Sequence, residues 1–348
     1  MEDTEKLIKN YTEHMTISVL PEDVIRQCSS RSGAELLKKG HEQLQKGEAE
    51  QEKKKGKSNI LDREFRKILF SDEEEAEIKR IVFGKGISEQ AFTGYYKDIS
   101  AERDGSVIGW VEDTTLHIEA DGKVIAPESC FRLFSGMKME SLECNDTFDT
   151  GNVTDMNYMF SECENLKRLD LSGFSTKNVT NMGSMFWWCR NLEKLDLSGF
   201  NTGNVTNLSW MFSRCVNLED LDLTGFNTGN VADMGFMFCG CENLRDLDLN
   251  GFNTGNVTDM RDMFSGCVNL EDLDLSRFDM GNVTNMNSMF SNCKKLSKLN
   301  LGGADLEKVS HKEDMFTGCD SLPEQYKKQA NNKLGNRLLK IFRQNRKR

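Results

Sequence analysis

One period of 26 residues governs the chain from about residue 145 to 320. Cys163, Cys189, Cys215, Cys241, Cys267, Cys293 and Cys319 follow one another at that spacing. Phe160, Phe186, Phe212, Phe238, Phe264, Phe290 and Phe316 hold the same register, as do the methionines from Met159 to Met315. No insertion interrupts the phase. Self-similarity at a fixed period in the range of about 20 to 50 residues is the mark of stacked repeats. One unit cannot bury its apolar side alone, so its neighbours must close a continuous core over it.

A unit starting at Leu192 reads "LEKLDLSGFNTGNVTNLSWMFSRCVN". Its L-x-x-L-x-L opening is the strand half of a leucine-rich repeat. Side chains alternate along a strand. Leu195 and Leu197 are therefore expected in the core, with Lys194, Asp196 and Ser198 in solvent. Gly199 permits a turn. The spacing of Val205, Leu208, Met211 and Phe212 predicts a short 3₁₀ or single-turn helical return. The asparagine at Asn165, Asn191, Asn217, Asn243 and Asn269 is expected to satisfy backbone groups at the corner. The fold expected is a leucine-rich repeat solenoid with a parallel β-sheet on one face, strands about 4.8 Å apart, and 3₁₀ or loop returns.

The phrases "NVTxMxxMFxxC" and "LxxLDLSGFxT", with the lead-in "GSVIGWVEDTTLHIEADGKVIAPESCFRLFSGM", resemble the BspA-like leucine-rich repeat family. That family is also catalogued from mycoplasmas as a repeat domain of unknown function. The resemblance spans about 104 to 320. It implies bacterial origin, frequent cell-surface exposure, adhesion to proteins or host matrix, and no catalysis. The chain departs from the family's surface members in showing no signal peptide and no wall or lipid anchor. On the sequence alone the expected location is cytoplasmic.

The flanks read differently. Residues 1–100 are expected to form a polar, mostly helical region with a charged linker near 33–60. Leu61, Phe65, Ile68 and Leu69 share a helical face. Ile78, Ile81 and Val82 extend the reading to a second helix, for which Ser71 is the N-cap. Residues 104–145 read as a β lead-in capping the solenoid, with a hairpin turn at Asp121-Gly122. A worn half-turn near Phe131 puts Phe134 and Met137 in the repeat columns. The solenoid itself is assigned to 146–320. Asn300, Ala304, Lys308 and Lys312 break the consensus at its far end, as a polar cap should. Residues 321–348 are basic, and Leu334, Leu338, Ile341 and Phe342 share a helical face. Three readings of this tail stand side by side: a helix packed on the last turn, peripheral contact with an anionic membrane or an acidic protein, or nucleic acid.

Chemistry motifs are missing. The four histidines lie outside the repeat columns and lack partners at ligand spacing. There is no H-E-x-x-H, P-loop or nucleophile-elbow motif. No catalytic, cofactor-binding or metal residue is assigned, and no transmembrane segment is expected. The repeat accounts for seven of the 11 cysteines as buried thiols. It accounts for the Asn-Val-Thr triplets at Asn152, Asn178, Asn204, Asn256 and Asn282 as turn chemistry. A formal net charge of −11 argues against nucleic acid as the partner of the whole molecule.

What remains exposed is the solvent side of the strands. Asp170, Asp196, Asp222, Asp248 and Asp274 form a ladder, flanked by Arg168, Lys194, Asp220, Asp246, Asp272 and Lys298. The middle is acidic and the ends are basic. Stacked like charges repel, so a basic protein partner is the expected occupant. Trp187, Trp188 and Trp210 form a second candidate cluster, read either as an exposed patch for a partner, with Trp187 and Trp188 as its residues, or as a local overlay under the N-terminal region. The function expected is a non-catalytic protein-interaction scaffold. A surface adhesin, or an N-terminal enzymatic module with the solenoid recruiting its substrate, are the alternatives.

Overall fold

A computed structural model describes residues 58–87, 96–144, 146–302, 306, 309–324 and 326. The expected charged linker and most of the tail, with Leu334, Leu338, Ile341 and Phe342, lie outside the described residues. So do Ala304 and Lys308. Two units emerge: one from residues before 130 with Lys138–Asn152, the other from Cys130–Met137 with residues from Val153 on.

The described part of the first unit is mainly strand. It holds α1 (Phe65–Leu69), α2 (Asp72–Ala76), β1 (Arg80–Lys85), β2 (Tyr96–Asp98), β3 (Val107–Glu112), β4 (Thr115–Ala120), β5 (Val124–Ile125), β6 (Ser141–Glu143) and β7 (Phe148–Asp149). Five strands form one sheet in the order β2-β3-β4-β1-β6. The β2–β3 and β3–β4 pairs are antiparallel, while β4–β1 and β1–β6 are parallel. The sheet closes against α1: a Cβ on Gly109 would lie 2.8 Å from Ile99 Cδ1 and 3.2 Å from Leu69 Cδ1. Ser71 caps α2 as expected, accepting from the Glu74 N–H in a reciprocal capping box.

Two expectations for this unit are corrected. The helical N-terminal region is, among the described residues, two five-residue helices followed by strands. Ile81 and Phe83 are buried and lie two apart in β1. The run "RIVF" is β-branched and aromatic, and period-2 burial prevails over the helical spacing of Ile78, Ile81 and Val82. The hairpin turn is also elsewhere. It lies at Asp113-Thr114, between paired Glu112 and Thr115, with Asp113 at φ 53°. Asp tolerates that left-handed backbone. Beyond Gly122, β5 pairs with β7 in parallel instead of folding back on β4.

In the second unit, coils of 26 residues stack in register. Parallel bridges run Asp155, Asn181, Asn207, Asp233, Asp259, Asn285, His311 without a break, so His311, read from the sequence as outside the repeat columns, in fact ends one of them. Beside them the phenylalanines of one column, from Phe134 to Phe290, each donate an N–H to a methionine carbonyl of the next coil, as from Phe186 to Met211 and from Phe212 to Met237, both at 2.9 Å. The return segment is therefore where backbone pairing is continuous. It is not a 3₁₀ helix. Bonds such as Met211 N–H to Leu208 O and Cys215 N–H to Phe212 O close successive turns. Left-handed residues such as Trp210 (φ 61°) and Arg214 (φ 66°) interrupt any helix between them.

The core is built in columns. Rings from Phe134 through Phe316 stack with centroids 5.4 to 5.9 Å apart. Met137 is buried like the cysteines whose column it shares. Each buried thiol donates to a phenylalanine carbonyl of the preceding coil, as from Cys215 to Phe186 O at 3.2 Å and from Cys241 to Phe212 O at 3.1 Å. Burial pushes these thiols up, Cys215 and Cys267 far above their ordinary value. They remain unreactive at neutral pH.

Polar residues join the coils as firmly. The Thr228 hydroxyl donates to Asn253 O at 2.9 Å and accepts from Asn253 N–H at 2.8 Å. Thr202 and Thr176 do the same one and two coils earlier. Thr228→Val removes both bonds from a buried site. It is expected to lower stability by about 1–3 kcal/mol, measured by urea unfolding, with Thr258→Val on the exposed surface as the milder control. The Asn-Val-Thr asparagines serve the turn: Asn204, Asn256 and Asn282 donate to carbonyls of the preceding coil at 2.8, 2.7 and 2.6 Å. At the corner, Asn217, Asn243 and Asn269 each donate to the side-chain oxygen of the asparagine one coil earlier, Asn191, Asn217 and Asn243, while Asn191 itself donates to the Glu164 carbonyl.

The strand side is less regular than the sequence implies. β8 (Arg168–Asp170) pairs with β9 (Lys194–Asp196), and β10 (Asp272–Asp274) with β11 (Lys298–Asn300). Residues 220–222 and 246–248 between them form no strand. The turn after each segment reports the same difference. A Cβ on Gly199 would overlap the Ser172 carbonyl, whereas one on Gly225 would meet nothing within 4 Å and one on Gly251 nothing nearer than 3.7 Å. Coils are tight where strands pair and open where they do not. The open coils carry aspartate doublets; the doublet of β10 pairs with a strand that brings in Lys298, and the other paired strands bring in Arg168 and Lys194. Like charges stacked across a ladder oppose pairing.

Candidate functional site

The exposed strand side carries the ladder read from the sequence. Asp170, Asp196, Asp220, Asp222, Asp246, Asp248, Asp272, Asp274 and Lys194 are all exposed. Alternating leucines fix the orientation: Leu169, Leu221 and Leu273 are buried, and Leu195 and Leu247 half-buried. Parallel register places Asp170 beside Asp196, Arg168 beside Lys194, and Asp272 beside Lys298. Lys298 Nζ reaches Asp272 Oδ2 at 3.2 Å. Of the six aspartates in the middle three coils, Asp272 alone makes an ion pair among the described residues.

The outer aspartate of each coil also shapes the backbone. Its carboxylate accepts the N–H two residues on: Asp196 from Ser198 at 2.9 Å, Asp222 from Thr224 at 2.9 Å, Asp248 from Asn250 at 2.9 Å and Asp274 from Ser276 at 2.8 Å. The Thr224 hydroxyl adds a second bond to Asp222. These bonds favour the charged form. Backbone and then side-chain donors lower Asp196 and Asp222 below the usual aspartate value, and the Ser276 side chain and backbone lower Asp274. Asp196, Asp222 and Asp274 therefore stay ionised at neutral pH. Because the folded value is depressed, the stabilisation these bonds supply is present above the unfolded value. It is lost as pH falls through the folded one.

On the return side, Asp233 and Asp262 are half-buried, and desolvation raises both. Carboxyl-carbon NMR titration is expected to find Asp222 titrating below ordinary aspartate and Asp233 above it. A common value for the two would contradict these environments.

Trp187 and Trp188 are half-buried, with ring centroids 5.5 Å apart. They belong to a larger aromatic edge. Tyr158 meets Trp187 edge-on at 6.2 Å, and Trp210 stacks on Phe236 at 3.8 Å. Guanidiniums cover these rings: Arg190 and Arg214 lie 5.5 and 5.6 Å from Trp188, and Arg132 lies 5.1 Å from Tyr158. The arginines escaped the sequence reading. The signal was available: Arg214 stands one 26-residue period beyond Trp188, so the two share a column in adjacent coils.

Cys239, beside Cys241 in the C-x-C, is half-buried and raised by burial. No group of three or more His, Cys, Asp or Glu side chains among the described residues is placed to hold a metal ion. No helix among them is long and apolar enough to cross a membrane.

A family model described as "Mycoplasma protein of unknown function, DUF285" matches residues 128–222 and 206–329. The chain belongs to this family. The DUF285 matches take in the stacked coils of the second unit, and the repeat is of the BspA-like leucine-rich kind. Among solved structures the chain is similar to a leucine-rich repeat protein from Bacteroides ovatus, at 16% identity and a TM-score of 0.25. That match covers 62% of this chain and 72% of the other. No curated protein matches it.

Proposed function

We propose that the coils of this DUF285 chain form a leucine-rich repeat solenoid, and that it acts as a non-catalytic protein-interaction scaffold. A basic partner docks on the acidic middle of its strand face. The observation that carries this reading is the run of six exposed aspartates over three coils, five without an ion-pair partner among the described residues. Solenoid faces serve as extended binding surfaces. Here the surface is kept charged by the N–H groups that hold Asp222 and Asp274 ionised. A cationic partner would relieve the repulsion along the ladder, so binding and local ordering reinforce each other.

The test is crosslinking and pull-down from the native organism with the wild type and with Asp222→Lys plus Asp248→Lys. Loss of a specific basic partner in the double variant supports the reading. An unchanged set of partners, or none, rejects it.

A further inference from the structure

Trp188 carries two cations. The Arg190 and Arg214 guanidinium carbons lie 5.5 and 5.6 Å from its ring centroid. Both arginines are exposed, and neither is ion-paired to a carboxylate among the described residues. Arg261, further along the same edge over Phe236, is different: its Nε lies 3.1 Å from Asp259. In a chain of net charge −11, two like charges held on one indole are conspicuous. An aromatic face orients a guanidinium while leaving its N–H fork free for a carboxylate.

The backbone adds a second argument. The position of Trp188 and Arg214 is left-handed in every coil where it is described, and Gly136, Gly240, Gly266 and Gly318 fill it in four of them. Glycine meets that conformation without strain. Trp188 at φ 64° and Arg214 at φ 66° do not. Glu162 and Asn292 share the position, so what sets Trp188 and Arg214 apart is that they bring an indole and a guanidinium together in adjacent coils. Trp187 and Tyr158 extend the platform on one side with apolar surface.

From this we infer that the Trp187–Trp188 edge, with Arg190 and Arg214, is a docking site for an acidic peptide segment of a protein partner. Its carboxylates pair with the two guanidiniums, and an apolar side chain rests on the indoles. A short acidic segment fits better than nucleic acid. Among the described residues only the two guanidiniums of Arg190 and Arg214 lie over the Trp188 ring, and a phosphate backbone binds through many cations. The inference shares the scaffold reading only in expecting a protein ligand. Its surface and charge are separate from the aspartate ladder.

The probe is a fluorescein-labelled peptide, Gly-Glu-Glu-Leu-Glu-Glu-Gly, titrated with the full chain by fluorescence anisotropy. The same peptide with glutamines and a short oligothymidylate serve as comparisons. The acidic peptide is expected to bind, and the glutamine peptide to bind about tenfold more weakly or less well still. Arg190→Gln with Arg214→Gln should weaken it by a similar factor. Trp188→Gly should do so without lowering the melting temperature, since glycine relieves the left-handed backbone. Arg277→Gln, exposed on another edge, should change nothing. Asp222→Lys with Asp248→Lys should retain the acidic peptide, which separates failure here from failure of the scaffold reading. Equal binding of the acidic and glutamine peptides, no binding of either, or oligothymidylate binding as tight and lost in the same variants would each overturn the inference.

Discussion

Phe212→Ala is expected to lower the unfolding free energy by about 3–5 kcal/mol. Phe212 is fully buried and stacks between Phe186 at 5.7 Å and Phe238 at 5.6 Å. Truncation removes ring burial and leaves a cavity bounded by rings of both neighbouring coils. The cavity cannot collapse readily, because each coil is fixed by backbone bonds on either side, from Phe186 N–H to Met211 O and from Phe212 N–H to Met237 O. Repeat stability is a sum of unit and nearest-neighbour terms, so one substitution in a central coil weakens two interfaces at once. Urea unfolding of the full chain reads the loss. A change of less than about 1 kcal/mol would mean that the phenylalanine column does not hold the coils together.

Gly199→Ala is expected to be nearly as damaging, and Gly225→Ala nearly silent. The two glycines stand at the same place in the repeat, Gly199 after β9 and Gly225 after the unpaired segment 220–222. A Cβ on Gly199 runs into the Ser172 carbonyl, which is backbone and cannot turn aside. Relief requires the β8–β9 pair to part, at about 2–3 kcal/mol, the range for overpacking a tight site. At Gly225 there is open space, and neither position has a positive φ. The alanine there is expected to change stability by no more than about 0.5 kcal/mol, or to raise it slightly by restricting the unfolded chain. Arg277 already occupies the equivalent position two coils beyond Gly225. Equal effects at 199 and 225 would mean that the coils are uniformly spaced, and the contrast between paired and open strands would fall.

The sequence made the repeat legible because its columns are packing requirements. A phenylalanine or a thiol in a stacked core recurs at the same phase or leaves a gap. Its exposed aspartates were legible for the complementary reason: alternation about Leu221 and Leu273 leaves them no other side to face. The interruption of strand pairing at 220–222 and 246–248 was not legible. It depends on the sum of charges across neighbouring coils, and a single unit does not contain that sum. The left-handed residues of the return were hidden because Trp210, Arg214 and Phe236 have no local preference for that backbone. The stack imposes it on them. In the first unit, Ile78, Ile81 and Val82 satisfied a helical face by coincidence of spacing. β1 is decided by its neighbours on the sheet, β4 and β6, which lie 35 and 61 residues away from Arg80 at their paired positions Thr115 and Ser141.

The central claim is that the aspartate-rich middle of the strand face is both the place where pairing fails and the place where a partner docks. Amide hydrogen exchange of the full chain, alone and with the partner captured by the wild type, tests both halves together. Fast exchange is expected at 220–223 and 246–249 in the free protein, against slower exchange at 194–196 and 298–300. The partner should slow the two fast segments. Uniform protection along the strand side in the free chain, or partner protection confined to other residues, would contradict the account.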